Sequence, residues 1–127
     1  WRSIKNAYRT SPFFEFYEDE LSPLFTKPVE KLLDLNLKIY EILEDLIGLD
    51  VTTSKSETYE ATTINKDKRY LANAKKERVT ILQPYTQVLE AHHGWLTNLS
   101  VLDLLFNEGP NTLNYLESQD LKNPNVS

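Results

Sequence analysis

The chain has 127 residues, a formal net charge of −5 and neither cysteine nor methionine. This length suffices for one domain with a buried core, and the absence of thiols excludes disulfides, cysteine nucleophiles and metal sites built on cysteine. The acidic balance argues against general nucleic-acid binding, and no apolar run approaches the roughly 20 residues of a membrane span. We therefore expect a cytoplasmic protein with no nucleic-acid partner and no membrane span.

The sequence of the first quarter of the chain is typical of two short helices. The first covers residues 3–9. Ser11 and Pro12 then suit the cap and the first position of a second helix, which extends to about Leu21 and carries a dense aromatic flank. Pro23 is expected to end it, because proline lacks a backbone donor and clashes with the preceding turn.

The third predicted helix, from about Pro28 to Ile47, has the clearest pattern in the sequence. Apolar residues recur at helical spacing over half of its circumference, and charged residues occupy the other half. Gly48 follows at the position where helices often end in a left-handed residue. We expect an amphipathic helix packed on one side and capped by Gly48.

The middle of the chain contains three clusters rich in β-branched residues, at 51–53, 61–64 and 79–82. Such residues favour strands, and Pro84 stops the last cluster. These clusters predict two or three short strands. The expected fold class is therefore α+β, predominantly helical, and the chain is expected to complete a larger α/β fold as its second part.

The C-terminal region returns to a helical pattern. Ser100 and Asp103 have the spacing of a capping box at the start of a helix. Gly109 and Pro110 are expected to end that helix and to begin a last one. We expect a single domain over residues 1–119, followed by a frayed polar tail at 120–127.

Basic residues are concentrated between Lys66 and Arg78, where six cations stand against two acids. Such a run is usually a solvated face, and the alternative is an anion site for a phosphorylated ligand. Elsewhere, His92 and His93 are adjacent and no further histidine exists, so we expect no metal site. His93 is either a loop histidine or an acid/base group.

The most informative polar set lies around the predicted Ser100 helix and comprises Asn98, Ser100, Asp103 and Asn107. Asp103 and Asn107 are four residues apart, which places them on one helix face, and Asn98 precedes the helix. The set either lines the mouth of a pocket or serves helix capping and termination. No glycine-rich phosphate loop or nucleophile elbow is present, so the residues alone identify neither a cofactor nor a reaction.

Two segments carry a family resemblance. Residues 94–110, GWLTNLSVLDLLFNEGP, resemble the closing signature of the bacterial WbqC-like proteins, and residues 1–14, WRSIKNAYRTSPFF, resemble a second signature of that family. The order of QPYTQV at 83–88 before His93, Gly94 and Trp95 is similar to that of Bacteroidetes-type members. The resemblance implies that the chain is the C-terminal part of such a protein.

The resemblance also implies a role in the biosynthesis of bacterial surface polysaccharide of the O-antigen type. The implied activity is transfer of an acyl or glycyl group to a nucleotide-linked amino sugar, with a nucleotide sugar or an acyl donor as partner. It further implies that Trp1, Arg2 and Tyr8 act together with Asn98, Ser100, Asp103 and Asn107. Each of these residues also has a structural alternative, and for Trp1 and Tyr8 the alternative is an aromatic residue of the core.

On that interpretation, Asp103 or His93 takes a proton, Arg2 holds an anionic group, and Asn98 and Asn107 orient the acceptor. The alternative function is a non-catalytic scaffold or protein-interaction module. Exposed apolar surface would then be covered by a second copy of the chain in a homodimer.

Overall fold

The structure, a computed structural model, describes residues 1–63, 66–72 and 82–120. These residues form six α-helices and two turns of 3₁₀ helix. In chain order they are α1 (Arg2–Tyr8), α2 (Phe14–Thr26), α3 (Leu32–Ile47), a 3₁₀ turn (Arg69–Ala72), α4 (Glu90–His93), α5 (Val101–Glu108), a second 3₁₀ turn (Gly109–Asn111) and α6 (Thr112–Glu117).

The predicted strands are wrong for the described residues, which contain helices and irregular segments only. Residues 51–53 and 61–63 have no regular structure, and Val51 is 53% exposed. Ile64 and residues 79–81 of the third cluster lie outside the described residues. The preference of β-branched residues for strands depends on a partner strand and a half-buried face, and residues 51–53 have neither. The described fold is therefore helical rather than α+β.

Helix α2 begins later and ends later than predicted. The Ser11 hydroxyl donates to the carbonyl of Tyr8 at 2.6 Å, so Ser11 closes the end of α1 and does not cap α2. The helix then continues through Pro23 to Thr26. Leu21 and Leu24 are both buried on either side of the proline, and this packing outweighs the missing backbone bond.

Helix α3 confirms the predicted amphipathic element and its C-terminal cap. Gly48 has a φ of 80° and a ψ of 29°, and its N–H and that of Leu49 both donate to the carbonyl of Glu44. This double closure is typical of helices that end in a left-handed residue. The helix begins at Leu32, four residues after the predicted start, and Leu32 is 72% exposed.

The core lies where α1, α2 and α5 meet. Phe14 and Leu21 of α2 pack with Leu105 and Phe106 of α5, all at most 2% exposed. The Phe106 ring contacts the rings of Phe14 and of Tyr8, with centroids 5.1 Å apart in each pair. Because α1 and α5 share this aromatic packing, the hydroxyl of Tyr8 lies beside the buried face of α5.

The turn after α5 depends on Gly109. Its φ is 52°, and a Cβ atom built there would lie 2.5 Å from the Phe13 ring. Glycine is thus required both by the backbone conformation and by the close approach of Phe13. The predicted last helix is present, but it begins at Thr112, because Gly109, Pro110 and Asn111 form a separate 3₁₀ turn. Residues 121–127 of the expected tail lie outside the described residues.

Candidate functional site

The site is centred on Asp103 in the first turn of α5, a carboxylate whose residue is only 2% exposed. The Tyr8 hydroxyl donates to Oδ2 at 2.8 Å, and the Tyr85 hydroxyl donates to Oδ1 at 2.6 Å. A buried carboxylate is tolerated when charge-assisted hydrogen bonds of this kind replace its hydration. Asp103 therefore ties α1 and the segment before α4 to α5.

The two tyrosines are held in their neutral form. Burial raises the pKa of Tyr8, and its hydrogen bond to Asp103 raises it further. The same causes, in the same order, raise the pKa of Tyr85. Both hydroxyls thus remain donors far into the alkaline range, and their donation to Asp103 is stable at neutral pH.

Asn107 extends this network by one helical turn. Its Nδ2 donates to the backbone carbonyl of Asp103 at 2.7 Å, and its Oδ1 accepts from the backbone N–H of Val88 at 3.0 Å. The predicted pairing of Asp103 and Asn107 on one helix face is confirmed. Both side chains are buried and bonded within the protein, so they fix the segment before α4 against α5.

Gln87 and Trp95 join the segment before α4 to the segment after it. The Gln87 amide donates to the carbonyl of Leu96 at 2.6 Å and accepts from its N–H at 3.0 Å. The Trp95 indole N–H donates to the carbonyl of Tyr85 at 3.1 Å. These bonds fix the rings of Tyr85 and Trp95 relative to each other.

An open depression of about 330 Å³ lies against these two rings. Its other lining residues are Pro84, Thr86 and Glu90. It therefore combines aromatic surface with a hydroxyl and an exposed carboxylate. An aromatic ring can stack on the apolar face of a sugar or bind an ammonium group through a cation–π contact. The hydroxyl and carboxylate oxygens can accept hydrogen bonds from hydroxyl and amino groups.

A second, smaller pocket of about 140 Å³ also borders the rings of Tyr85 and Trp95. Asn98 is among its lining residues and has a φ of 55°, in the left-handed region that asparagine tolerates better than most residues. The remaining lining is aliphatic apart from Tyr115. The interpretation of Asn98 as a pocket residue thus has a geometric basis.

Ser100 and His93 lie outside the buried network. Ser100 is the N-cap of α5, and its hydroxyl accepts from the N–H of Leu102 at 3.2 Å, which confirms the predicted cap. The reciprocal half of the capping box is absent because the Asp103 carboxylate bonds the two tyrosines instead. His93 is exposed in the last turn of α4, three residues after Glu90.

Trp1 and Arg2 lie at the other end of α1 from Tyr8. Tyr8 is six positions after Arg2 in the helix, which corresponds to about 9 Å along the axis. The Trp1 ring stacks on Phe25 with centroids 4.9 Å apart, and Arg2 is exposed. The structure thus joins Tyr8 directly to Asp103 and gives Trp1 a packing role in the core.

Within the described part of the basic segment, Lys68 and Arg69 make local contacts. Arg69 forms an ion pair with Asp67 at 2.6 Å and also donates to the carbonyl of Glu60. Hydrogen bonds from the Arg69 side chain and backbone lower the pKa of the exposed Asp67 to about 2. Residues 73–78 lie outside the described residues. Within the described ranges, no group of three His, Asp or Glu side chains could hold a metal ion.

Site roles for Tyr85, Gln87 and Trp95 were not predicted from the sequence. The one indication in the sequence was that aromatic and amide residues cluster on both sides of α4, in a region without apolar periodicity. Polar and aromatic residues on connecting segments often bind ligands. Their convergence on Asp103, however, depends on tertiary contacts that spacing does not predict.

Comparison with known proteins gives one family match. The sequence model of the WbqC-like protein family matches residues 1–83. This match covers the N-terminal region of the chain and does not support the expectation that the chain is the C-terminal part of such a protein. Neither a curated protein nor a solved structure matches the chain. Over the described ranges, no helix has the length and apolarity needed to cross a membrane.

Proposed function

Because the chain belongs to the WbqC-like protein family, we propose that it acts in the biosynthesis of bacterial surface polysaccharide of the O-antigen type. The proposed ligand is a nucleotide-linked amino sugar, and the proposed activity is transfer of an acyl or glycyl group to its amine. The observation that carries the proposal is the open depression that Tyr85 and Trp95 line together with the acidic residue Glu90.

The chemistry of this depression suits an amino sugar. The Glu90 carboxylate attracts the ammonium form of the amine, and the Trp95 ring attracts the same charge through its π face. The Thr86 hydroxyl supplies a further hydrogen-bonding group for sugar hydroxyls. The Asp103 network holds this surface in place, because Asp103 binds the Tyr85 hydroxyl and Tyr85 binds the Trp95 indole N–H through its carbonyl.

In the proposed transfer, the bound ammonium group first loses one proton to solvent. The neutral amine nitrogen then forms a bond to the acyl carbon of the donor while the bond from that carbon to the leaving group breaks, and the leaving group departs with the electron pair of that bond. The proton lost by the amine passes to a base, for which His93 and Asp103 are the candidates. His93 and Glu90 share one face of α4 through their spacing of three residues. Asp103 would receive the proton through the Tyr85 hydroxyl, because its own oxygens are already occupied.

The remaining proposed ligand contacts have different degrees of support. Asn98 lines the adjoining pocket and not the depression itself, so its role in orienting the acceptor is a proposal from the resemblance. Asn107 and Tyr8 support the site through Asp103. The resemblance alone supports three further ligand contacts. These are anion binding by Arg2 and ligand binding by Trp1 and Ser100.

A thermal-shift screen of the full-length protein against nucleotides, nucleotide sugars, glycine and acyl donors tests the proposal. Saturation to about 100 times Kd adds about 2.7 kcal/mol to the stability of the native state and raises Tm by several degrees. We expect this shift with a nucleotide-linked amino sugar bearing a free amine. Glu90→Gln should abolish it, and Glu117→Gln, an exposed acid on α6, should retain it.

Incubation with the matching donor should then add the mass of the acyl group to the sugar. His93→Gln and Asp103→Asn would identify the base by their effect on kcat. The absence of a shift with every amino-sugar nucleotide, or an equal shift in Glu90→Gln, would refute the proposal.

A non-catalytic interaction module that forms a homodimer is the second candidate. It is favoured by large apolar side chains at the surface, with Leu32 and Leu33 of α3 72% and 67% exposed. Sedimentation should detect a dimer in the wild type and a monomer after Leu32→Glu and Leu33→Glu substitution. A wild-type monomer at high concentration would refute this candidate.

A further inference from the structure

The pocket bordered by Asn98 has a composition unlike that of the open depression. Its walls are the rings of Tyr85, Trp95 and Tyr115 together with aliphatic side chains, among them Val101 and Leu104, and none of the lining residues that the structure describes is charged. An ionised group placed inside would lose its hydration without a counter-charge. The pocket therefore selects an uncharged apolar group.

The polar atoms of the three aromatic side chains all donate hydrogen bonds to other groups of the protein. The Tyr85 hydroxyl donates to Asp103, the Trp95 indole N–H donates to the Tyr85 carbonyl, and the Tyr115 hydroxyl donates to the carbonyl of Gln83. The rings of Tyr85 and Tyr115 meet edge to face at 5.2 Å. Aromatic surface, and not hydrogen bonding, is what these three residues offer to an occupant.

Asn98 differs from the other lining residues. Its side-chain amide makes no hydrogen bond to another described residue, and the residue is exposed at the edge of the pocket. A carboxamide offers one acceptor and two donor hydrogens, so its best partner is a group with both functions, such as another amide. The pocket thus pairs an apolar interior with an amide-binding edge.

The volume limits the size of the occupant. A dry apolar cavity of about 150 Å³ is sufficient for benzene, and the pocket has about 140 Å³. We propose that this pocket is a second binding site, which takes a small uncharged molecule or substituent with a benzene-sized apolar body and a carboxamide head that pairs with Asn98. This inference does not depend on sugar binding or transfer.

Titration of the full-length protein with benzamide, followed by NMR, tests the proposal. We expect saturable shifts of the Trp95 indole signal in the wild type. Benzoate, which has the same ring and a charged head, should bind at least about tenfold more weakly because of its desolvation cost. Val101→Phe should abolish binding by filling the pocket.

Asn98→Gly removes the amide and keeps a residue that suits the φ of 55°. It should weaken benzamide binding about fivefold, the value of one or two neutral hydrogen bonds. Asn114→Ala, which changes an exposed asparagine on α6, should leave binding unchanged.

Absence of saturable binding to the folded wild type would overturn the proposal. Unchanged affinity in Asn98→Gly or in a folded Val101→Phe variant would also overturn it. If Val101→Phe does not fold, the comparisons of benzamide with benzoate and of Asn98→Gly with Asn114→Ala decide the outcome.

Discussion

Removal of the Asp103 carboxylate should uncouple the two tyrosines that bind it. In the native protein Tyr8 and Tyr85 donate to opposite oxygens at 2.8 and 2.6 Å. Asp103→Asn keeps the shape of the side chain, but its single carbonyl oxygen cannot accept both hydroxyls in the same way. The substitution therefore tests the charge and the acceptor capacity of the site with little change in packing.

The expected magnitudes follow from these contacts. A hydrogen bond to a charged group contributes about 1.5–3 kcal/mol, and the lower end applies because both tyrosines are partly exposed. Tyr8→Phe and Tyr85→Phe should each lower the unfolding free energy by about 1.5 kcal/mol, and Asp103→Asn by about 2–3 kcal/mol. In the Asp103→Asn background each tyrosine substitution should cost less than about 0.5 kcal/mol, since its charged partner is gone.

Urea denaturation of the single and double variants, monitored by circular dichroism, measures these differences. Tyr59→Phe is the matched control, because Tyr59 is 85% exposed and its substitution should change stability by less than about 0.5 kcal/mol. Equal losses for Tyr8→Phe in the wild-type and Asp103→Asn backgrounds would contradict a stabilising bond between Tyr8 and Asp103, because the double-mutant cycle would then contain no coupling.

Two further predictions concern glycine conformation and pH. Gly109→Ala should lower the unfolding free energy, measured by urea denaturation, by about 3 kcal/mol or more, because the new Cβ adds a clash with Phe13 to the backbone strain. Gly48→Ala should lower it by about 1 kcal/mol, because nothing lies within 4 Å of the new Cβ, and equal losses would contradict the packing of Phe13 on Gly109. The pKa values of Tyr8 and Tyr85 are higher in the folded protein than in the unfolded chain, where tyrosine has a pKa of about 10. The two protonated tyrosines therefore contribute their full stabilisation below about pH 10, and this stabilisation is lost as the pH rises further. Between about pH 9 and 11 the wild type should lose about 1–2 kcal/mol more than the variant with both tyrosines replaced by phenylalanine; parallel pH profiles would contradict this assignment.

Local patterns predicted several elements of this fold correctly. The amphipathic spacing in α3, the Gly48 cap and the Ser100 cap each depend on residues within one or two turns. The error at Pro23 has a tertiary cause, because the buried Leu21 and Leu24 hold the helix together across the proline. The predicted strands failed for the same reason, since β-branched residues form strands only where a partner and a buried face exist.

The candidate site was predictable only in part. Asp103 and Asn107 lie on one helix face, so their pairing follows from a spacing of four residues. The bond from Tyr8 to Asp103 spans 95 residues, and that from Tyr85 spans 18. Such contacts depend on how α1 and the segment before α4 pack on α5, and no local pattern encodes that packing. The place of Tyr85 and Trp95 beside Asp103 therefore required the structure.

The proposed function requires the depression beside Tyr85, Trp95 and Glu90 to bind an amino sugar. The protein has two tryptophans, Trp1 and Trp95, so the indole N–H region of an NMR spectrum provides both a reporter and an internal control. On titration of the full-length protein with a nucleotide-linked amino sugar, the Trp95 signal should shift and saturate while the Trp1 signal, from a ring stacked on Phe25, stays in place. Saturation without a Trp95 shift, or no saturable change at all, would contradict amino-sugar binding at this depression.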